Sequence, residues 1–190
     1  MNGSRYPQIN WENYMDFEHR CTIPVPRATL WQFLLDVPEM ATCIPGVENI
    51  IISNDDTYTG RMRVKLGPIH LTLQGTMTVE TRDQQQWRVV ARSEANDRRV
   101  GGGVHVRTHM FLLEHSPEVT ELVIQTQARL FGKLAEFGQP VIRKQADTIL
   151  AEFARNLAAR VPRTVVPQQQ EQQEQKSALP DTGDENNHLS

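Results

Sequence analysis

The sequence predicts an α+β fold in which a curved antiparallel sheet of about seven strands wraps around one long C-terminal helix. Three observations predict it. From about residue 47 to residue 131, apolar and polar side chains alternate with a period of two, as in a strand half-buried on one face. The interruptions, Asp55-Asp56, Gly67-Pro68, Asp83-Gln84 and Ser116-Pro117, are turns too short for parallel crossovers, so neighbours pair antiparallel. After Pro140 the period changes to that of a helix, and it holds for about twenty residues.

The elements follow in order. Met15 to Ile23 alternates as a first strand, with Phe17, His19, Cys21 and Ile23 on one side. Pro24 and Pro26 interrupt it, and Arg27 to Asp36 reads as a helix carrying Leu30, Trp31, Phe33 and Leu34. A second short helix is expected over Glu39 to Cys43, ended by Ile44-Pro45-Gly46. Strands are expected at about 47–54, 57–66, 69–82, 86–96, 103–115 and 119–131. Their apolar side includes Leu66, Leu71, Val79, Val89, Leu122 and Ile124, and the other side carries Arg61, Arg63, Lys65, Arg92 and Arg107. Gly138 separates a short turn at Lys133 to Phe137 from the long helix, whose first turn accommodates Pro140. Val141, Ile142, Ala146, Ile149, Leu150, Phe153, Leu157, Ala158 and Val161 form its apolar stripe, and Pro162 ends it.

A helix at the end of a sheet has an apolar face to hide. On a flat sheet it is an ordinary core helix; on a curved one, the two enclose a cavity. The cavity reading expects Met62, Val64, Leu73, Met77, Thr108, Met110, Leu112 and Thr126 from the sheet. It expects Ile142, Ala146, Ile149 and Phe153 from the helix, and Met40, Ile44, Leu134 and Phe137 from the connecting segments. Methionines suit such a site because thioethers adapt to irregular apolar shapes, although they also fill ordinary cores.

Composition bounds the function. The 190 residues suffice for one well-buried domain, expected at 14–162, between a flexible N-terminus (1–13) and a disordered acidic, Gln-rich tail (163–190). Residues 1–163 carry 19 basic and 18 acidic side chains, without the basic blocks that nucleic acid binding uses. No secretory leader or membrane-spanning run is present, so the expected location is the cytoplasm, with Cys21 and Cys43 reduced. Leu179-Pro180-Asp181-Thr182-Gly183 matches a sortase anchoring pattern but lacks the apolar, basic-ended tail that mechanism needs.

Chemistry-bearing groups are sparse. His105 and His109 have a metal-ligand spacing for a helix, but on a strand they stand roughly 13 Å apart, too far for one metal. His19 and Cys21 share a strand face without a third orienting group, so a buried, locally satisfied histidine is the simpler reading. Asp55-Asp56 falls in a polar turn where acid/base work has no shelter. Gly101-Gly102-Gly103 precedes a strand and not a helix, so it reads as a turn or a cavity rim and not as a phosphate loop.

The segment Asp36-Val37-Pro38-Glu39-Met40-Ala41-Thr42-Cys43-Ile44-Pro45-Gly46 resembles a signature of the carbon monoxide dehydrogenase G-subunit family. Further resemblance lies in Tyr58-Thr59-Gly60 with Leu66-Gly67-Pro68-Ile69, and in Gly75-x-Met77-x-Val79. Gly132-x-Leu134-Ala135-x-x-Gly138 and Phe153-Ala154-x-Asn156-Leu157 complete it, over about residues 14 to 160. The resemblance implies a helix-grip (START-like) fold and a role as accessory protein of a molybdenum hydroxylase of the carbon monoxide dehydrogenase type. It also implies a quinone or other isoprenoid ligand, no covalently bound cofactor, and peripheral contact with the inner face of the cell membrane. The tail departs from the membrane-seeking segment that such proteins often carry. The resulting expectation is a non-enzymatic carrier that buries an apolar tail, orients a head group with Thr108, Thr126 or His19, and uses the two short helices as a lid. A ligand-free docking factor and a cyclase- or hydrolase-like enzyme are the alternatives.

Overall fold

The computed structural model describes residues 14–162, so the expected N-terminal segment and the Gln-rich tail lie outside the described residues. Strand β1 (Tyr14–Ile23) leads to helices α1 (Arg27–Leu35) and α2 (Val37–Ala41). A meander follows: β2 (Val47–Asn54), β3 (Thr57–Leu66), β4 (Ile69–Asp83), β5 (Arg88–Asp97), β6 (Gly102–Ser116) and β7 (Val119–Gly132). A 3₁₀ turn (Lys133–Glu136) precedes α3 (Gln139–Arg160). The strands form one antiparallel sheet in the order β1-β7-β6-β5-β4-β3-β2, so the first strand closes onto the last.

Pleating explains which side chains turn inward. On β7, Leu122, Ile124, Ala128 and Leu130 are buried, while Gln125, Gln127 and Arg129 between them are exposed. β1 places Met15 as well as Phe17 and Ile23 in the core. The His19 side chain is half-buried and makes no hydrogen bond within the described residues, so it is not the buried, satisfied histidine expected from the sequence.

The second short helix begins two residues earlier than expected, at Val37 and not Glu39. The Asp36 carboxylate accepts a hydrogen bond from the Glu39 amide at 3.1 Å, which caps the helix, and Pro38 occupies the first turn. Beyond α2, Gly46 has φ 80°, and a Cβ there would lie 2.2 Å from the Arg63 carbonyl oxygen. Only glycine lets this loop lie against β3, where the Arg63 amide donates to the Gly46 carbonyl at 2.8 Å.

The filled part of the core gathers Leu30, Trp31, Leu34, Leu122, Phe153 and Leu157. Trp31 meets Trp87 edge to face at 5.7 Å, and the Arg27 guanidinium lies 4.5 Å over the Trp87 ring. At the other end of the sheet, Asp97 is 2% exposed and ties the β5–β6 turn to β4. Its carboxylate accepts from the amides of Thr72 at 2.7 Å and Arg99 at 2.9 Å, and from the Arg99 guanidinium at 3.0 Å. The Thr72 amide and the Arg99 guanidinium hold its carboxyl down at about 2. The glycine run expected as a turn or rim sits beside it. Gly101 turns the chain with φ 75°, and a Cβ on Gly103 would lie 2.5 Å from the Phe131 ring.

Candidate ligand-binding cavity

Helix α3 is not packed evenly along its length. Phe153 and Leu157 of its C-terminal half are buried, whereas Ile142, Ala146 and Ile149 are only half-covered. Beneath those three residues the sheet curves away, leaving a cavity of about 330 Å³. This lies at the lower end of the range for small-molecule sites, roughly 300–1,000 Å³. Its floor is the inner face of β3, β4, β6 and β7, and Ile44 and Leu134 close its sides. Arg143 fastens this half of the helix to β1, donating to the Asp16 carbonyl at 3.3 Å and lying 5.1 Å over the Phe17 ring.

The floor carries two hydroxyls. Thr108 and Thr126 stand directly opposite on β6 and β7, with Phe17 opposite Thr126 on β1, and Gln145 of α3 also lines the space. None of these three polar side chains hydrogen-bonds within the described residues. A bound polar group would find donors and acceptors there amid apolar walls. Among the described residues, no Asp, Glu, His, Lys, Arg or Cys lines this cavity.

A second cavity of about 200 Å³ lies between α2 and the strands β2 to β5. Val37, Met40, Ile50, Tyr58, Met77 and Ser93 line it. Ile44, Met62 and Leu73 line both spaces and so form the wall between them. The segment bearing Ile44 is tied on either side. Asn156 of α3 donates to the Cys43 carbonyl at 2.9 Å, Arg160 bonds the Thr42 hydroxyl, and Gly46 is held by β3.

The expected lining residues therefore divide. Val64, Thr108, Thr126, Leu134, Ile142, Ala146 and Ile149 border the larger cavity, Met40 and Met77 the smaller, and Ile44, Met62 and Leu73 both. Met110, Leu112 and Phe153 border neither. They lie in the filled core, because α1 and α2 cover that end of the inner face. Phe137 packs at the edge of the cluster under the 3₁₀ turn without bordering either cavity. Phe131 turns to the outer face, 5.0 Å from His105. Sequence reasoning left out Gln145 and Ser93, polar residues at inward positions of their elements; their register was the available signal.

The other candidate groups are accounted for structurally. His105 is exposed on the outer face beside Glu94, and Asp56 pairs with Arg82. The Cys21 Sγ lies 3.9 Å from the Leu122 carbonyl, and burial pushes its thiol up to about 11, far from a nucleophile's range. Among the described residues, no group of three or more His, Cys, Asp or Glu side chains could hold a metal ion, and no helix is long and apolar enough to cross a membrane.

A curved sheet gripping a C-terminal helix across an apolar space defines the START-like class. Solved structures bear this out at the level of fold. A conserved protein from Geobacillus kaustophilus aligns with a TM-score of 0.71 at 16% identity, over 77% of this chain and 95% of that one. A START superfamily protein from Mycobacterium smegmatis gives 0.60 at 13%, over 77% and 96%. The Zhui aromatase/cyclase from Streptomyces sp. R1128 gives 0.57 at 17%, over 77% and 92%. Among curated proteins, none matches the sequence. Residues 20–162 match the carbon monoxide dehydrogenase G-subunit (CoxG) family, and the chain belongs to that family.

Proposed function

We propose that this protein is a non-enzymatic accessory protein of a carbon monoxide dehydrogenase-type molybdenum hydroxylase, carrying a quinone or another isoprenoid and linking the enzyme to the membrane through peripheral contact. The observation that carries the reading is the larger cavity: apolar walls, two threonine hydroxyls and one amide, and no titratable group among the described residues that line it. Such a lining suits a molecule with a compact oxygen-bearing head and an apolar body. Burying that body stabilises the complex by roughly 25 cal/mol per Å². Acid/base catalysis of the cyclase kind needs a positioned proton donor or acceptor of suitable pKa, which this lining does not supply. Membership of the CoxG family supports the choice of partner enzyme.

Native mass spectrometry of the purified full chain, followed by solvent extraction, tests the reading. The expected result is a co-purifying quinone or isoprenoid near one per chain, or uptake of added menaquinone or ubiquinone to that ratio. A bare mass with no uptake of either rejects the carrier and leaves a ligand-free docking factor.

A further inference from the structure

The two cavities share a wall of three side chains, Ile44, Met62 and Leu73, each of which faces both spaces. Met62, unbranched and with a thioether, changes shape at small cost, and Leu73 stands directly opposite it on β4. The wall's remaining member, Ile44, sits on a segment whose neighbours are tied to α3 and β3, so side chains and not the loop must move to join the spaces. The two spaces also differ in chemistry. The larger holds the hydroxyl pair and Gln145 amid apolar walls, while the smaller has an apolar flank of Met40, Ile50 and Tyr58 facing a side lined by Thr59, Arg61, Thr76, Ser93 and Glu94, so a chain would keep to the flank. Beyond Tyr58, directly opposite it on β2, stands Ile52, an aliphatic side chain left 60% exposed on an edge strand.

We infer that these features form one passage: an amphiphile's head group rests at Thr108 and Thr126, and its chain crosses the Ile44–Met62–Leu73 wall into the smaller cavity and leaves along Ile52. The inference rests on the reading above that the cavity takes an amphiphile, and adds the route of its chain. It gives a use to the second cavity and to Ile52, one of two exposed isoleucines on β2 and the one opposite Tyr58. It also accounts for the size of the larger cavity, which houses a head group and leaves a long chain to be placed elsewhere. Standing opposite Tyr58 of the smaller cavity's lining, the exposed Ile52 side chain would give an emerging chain an apolar surface to lie on.

The test uses 2,3-dimethoxy-5-methyl-p-benzoquinone, with no chain, and decylubiquinone, the same ring with a ten-carbon chain. Binding of both to the full chain is measured by equilibrium dialysis. Ile44→Trp thickens the wall, and Ile52→Lys puts a charge at the exit. Ile52→Lys changes an exposed residue and keeps the test valid if the bulkier variant folds poorly. The expected result is decylubiquinone binding weakened about threefold by Ile52→Lys with the chainless ring unchanged within about twofold, and decylubiquinone binding weakened about tenfold by Ile44→Trp, a larger loss than the chainless ring suffers in the same variant. Decylubiquinone binding unchanged in both variants overturns the route while leaving the carrier intact, since the chain would then leave by the larger cavity's own opening. Failure of the unmodified protein to bind either compound overturns route and carrier together.

Discussion

The two halves of α3 face the same sheet and meet different fates. At the C-terminal half, Leu157 is fully buried in a core that α1 completes with Leu30, Trp31 and Leu34 and α2 with Val37. At the N-terminal half, Ile142, Ala146 and Ile149 look across about 330 Å³ of space. Both halves are apolar at the same helical spacing, so hydrophobicity does not separate them. What differs is the third layer. The short helices fill the inner face at one end, and no described element does so at the other, where Arg143 and the 3₁₀ turn hold the helix off the sheet. A ligand site here is a region that folding leaves unpacked, supported by a neighbouring region packed to ordinary density.

Cutting equal amounts of side chain from the two halves should give unequal costs. Leu157→Ala is expected to destabilise the protein by about 2–5 kcal/mol, because the filled core cannot collapse around the loss. Ile149→Ala, facing the cavity, should cost no more than about 1 kcal/mol. Urea unfolding of both variants decides the point, and equal costs would break the comparison.

Asp97 tests the hollow end differently. Asp97→Asn should destabilise by about 1–3 kcal/mol at pH 7, through loss of a charged acceptor for the amides of Thr72 and Arg99. Its folded carboxyl lies at about 2, below the usual Asp value of about 3.9. The carboxylate's contribution is therefore fully present above the unfolded value and fades as pH falls toward the folded one. The gap between wild type and variant should narrow below about pH 4, measured by unfolding over a pH series. A gap that widens in acid would contradict the assignment.

Filling the space sharpens the contrast further. Ala146→Phe should change stability by less than about 1 kcal/mol, since the space can take the ring, yet reduce quinone uptake at least about tenfold. Retained uptake would move the ligand elsewhere. The mildest test concerns the thiols at the filled end. With Cys21 pushed up to about 11 and Cys43 also raised by burial, labelling of the native protein by iodoacetamide at pH 8 should be slow. It should run at least about a hundredfold slower than in urea.

Much of this was legible in the sequence. The period-two alternation and the Pro and Gly turns located six strands to within about two residues, and the helical stripe located α3. The expected start of α2, Glu39, falls two residues late because the cap at Asp36 lies outside the apolar pattern. The Asp36-Val37-Pro38-Glu39 string carries the cap that makes it a beginning. The cavity was half legible. Alternation says which face a residue takes, but not how far along the strand another element covers it. Met110 and Leu112 share that face with Thr108 and differ only in lying beneath the filled end. That distinction depends on where α1 and α2 stop, a fact of tertiary packing with no period of its own.

The closure of the sheet by its first strand has a consequence for synthesis. Tyr14 pairs with Arg129 and Ile23 with Thr120, so β1 waits for nearly the whole meander to be translated before it finds its neighbour. At roughly 5–20 residues per second, the concave face stays open for several seconds before α3 leaves the ribosome. Contacts so distant in sequence also make for slow folding. For that interval the nascent chain presents an apolar trough to its surroundings, where it can be met by a chaperone or by the molecule it will later enclose.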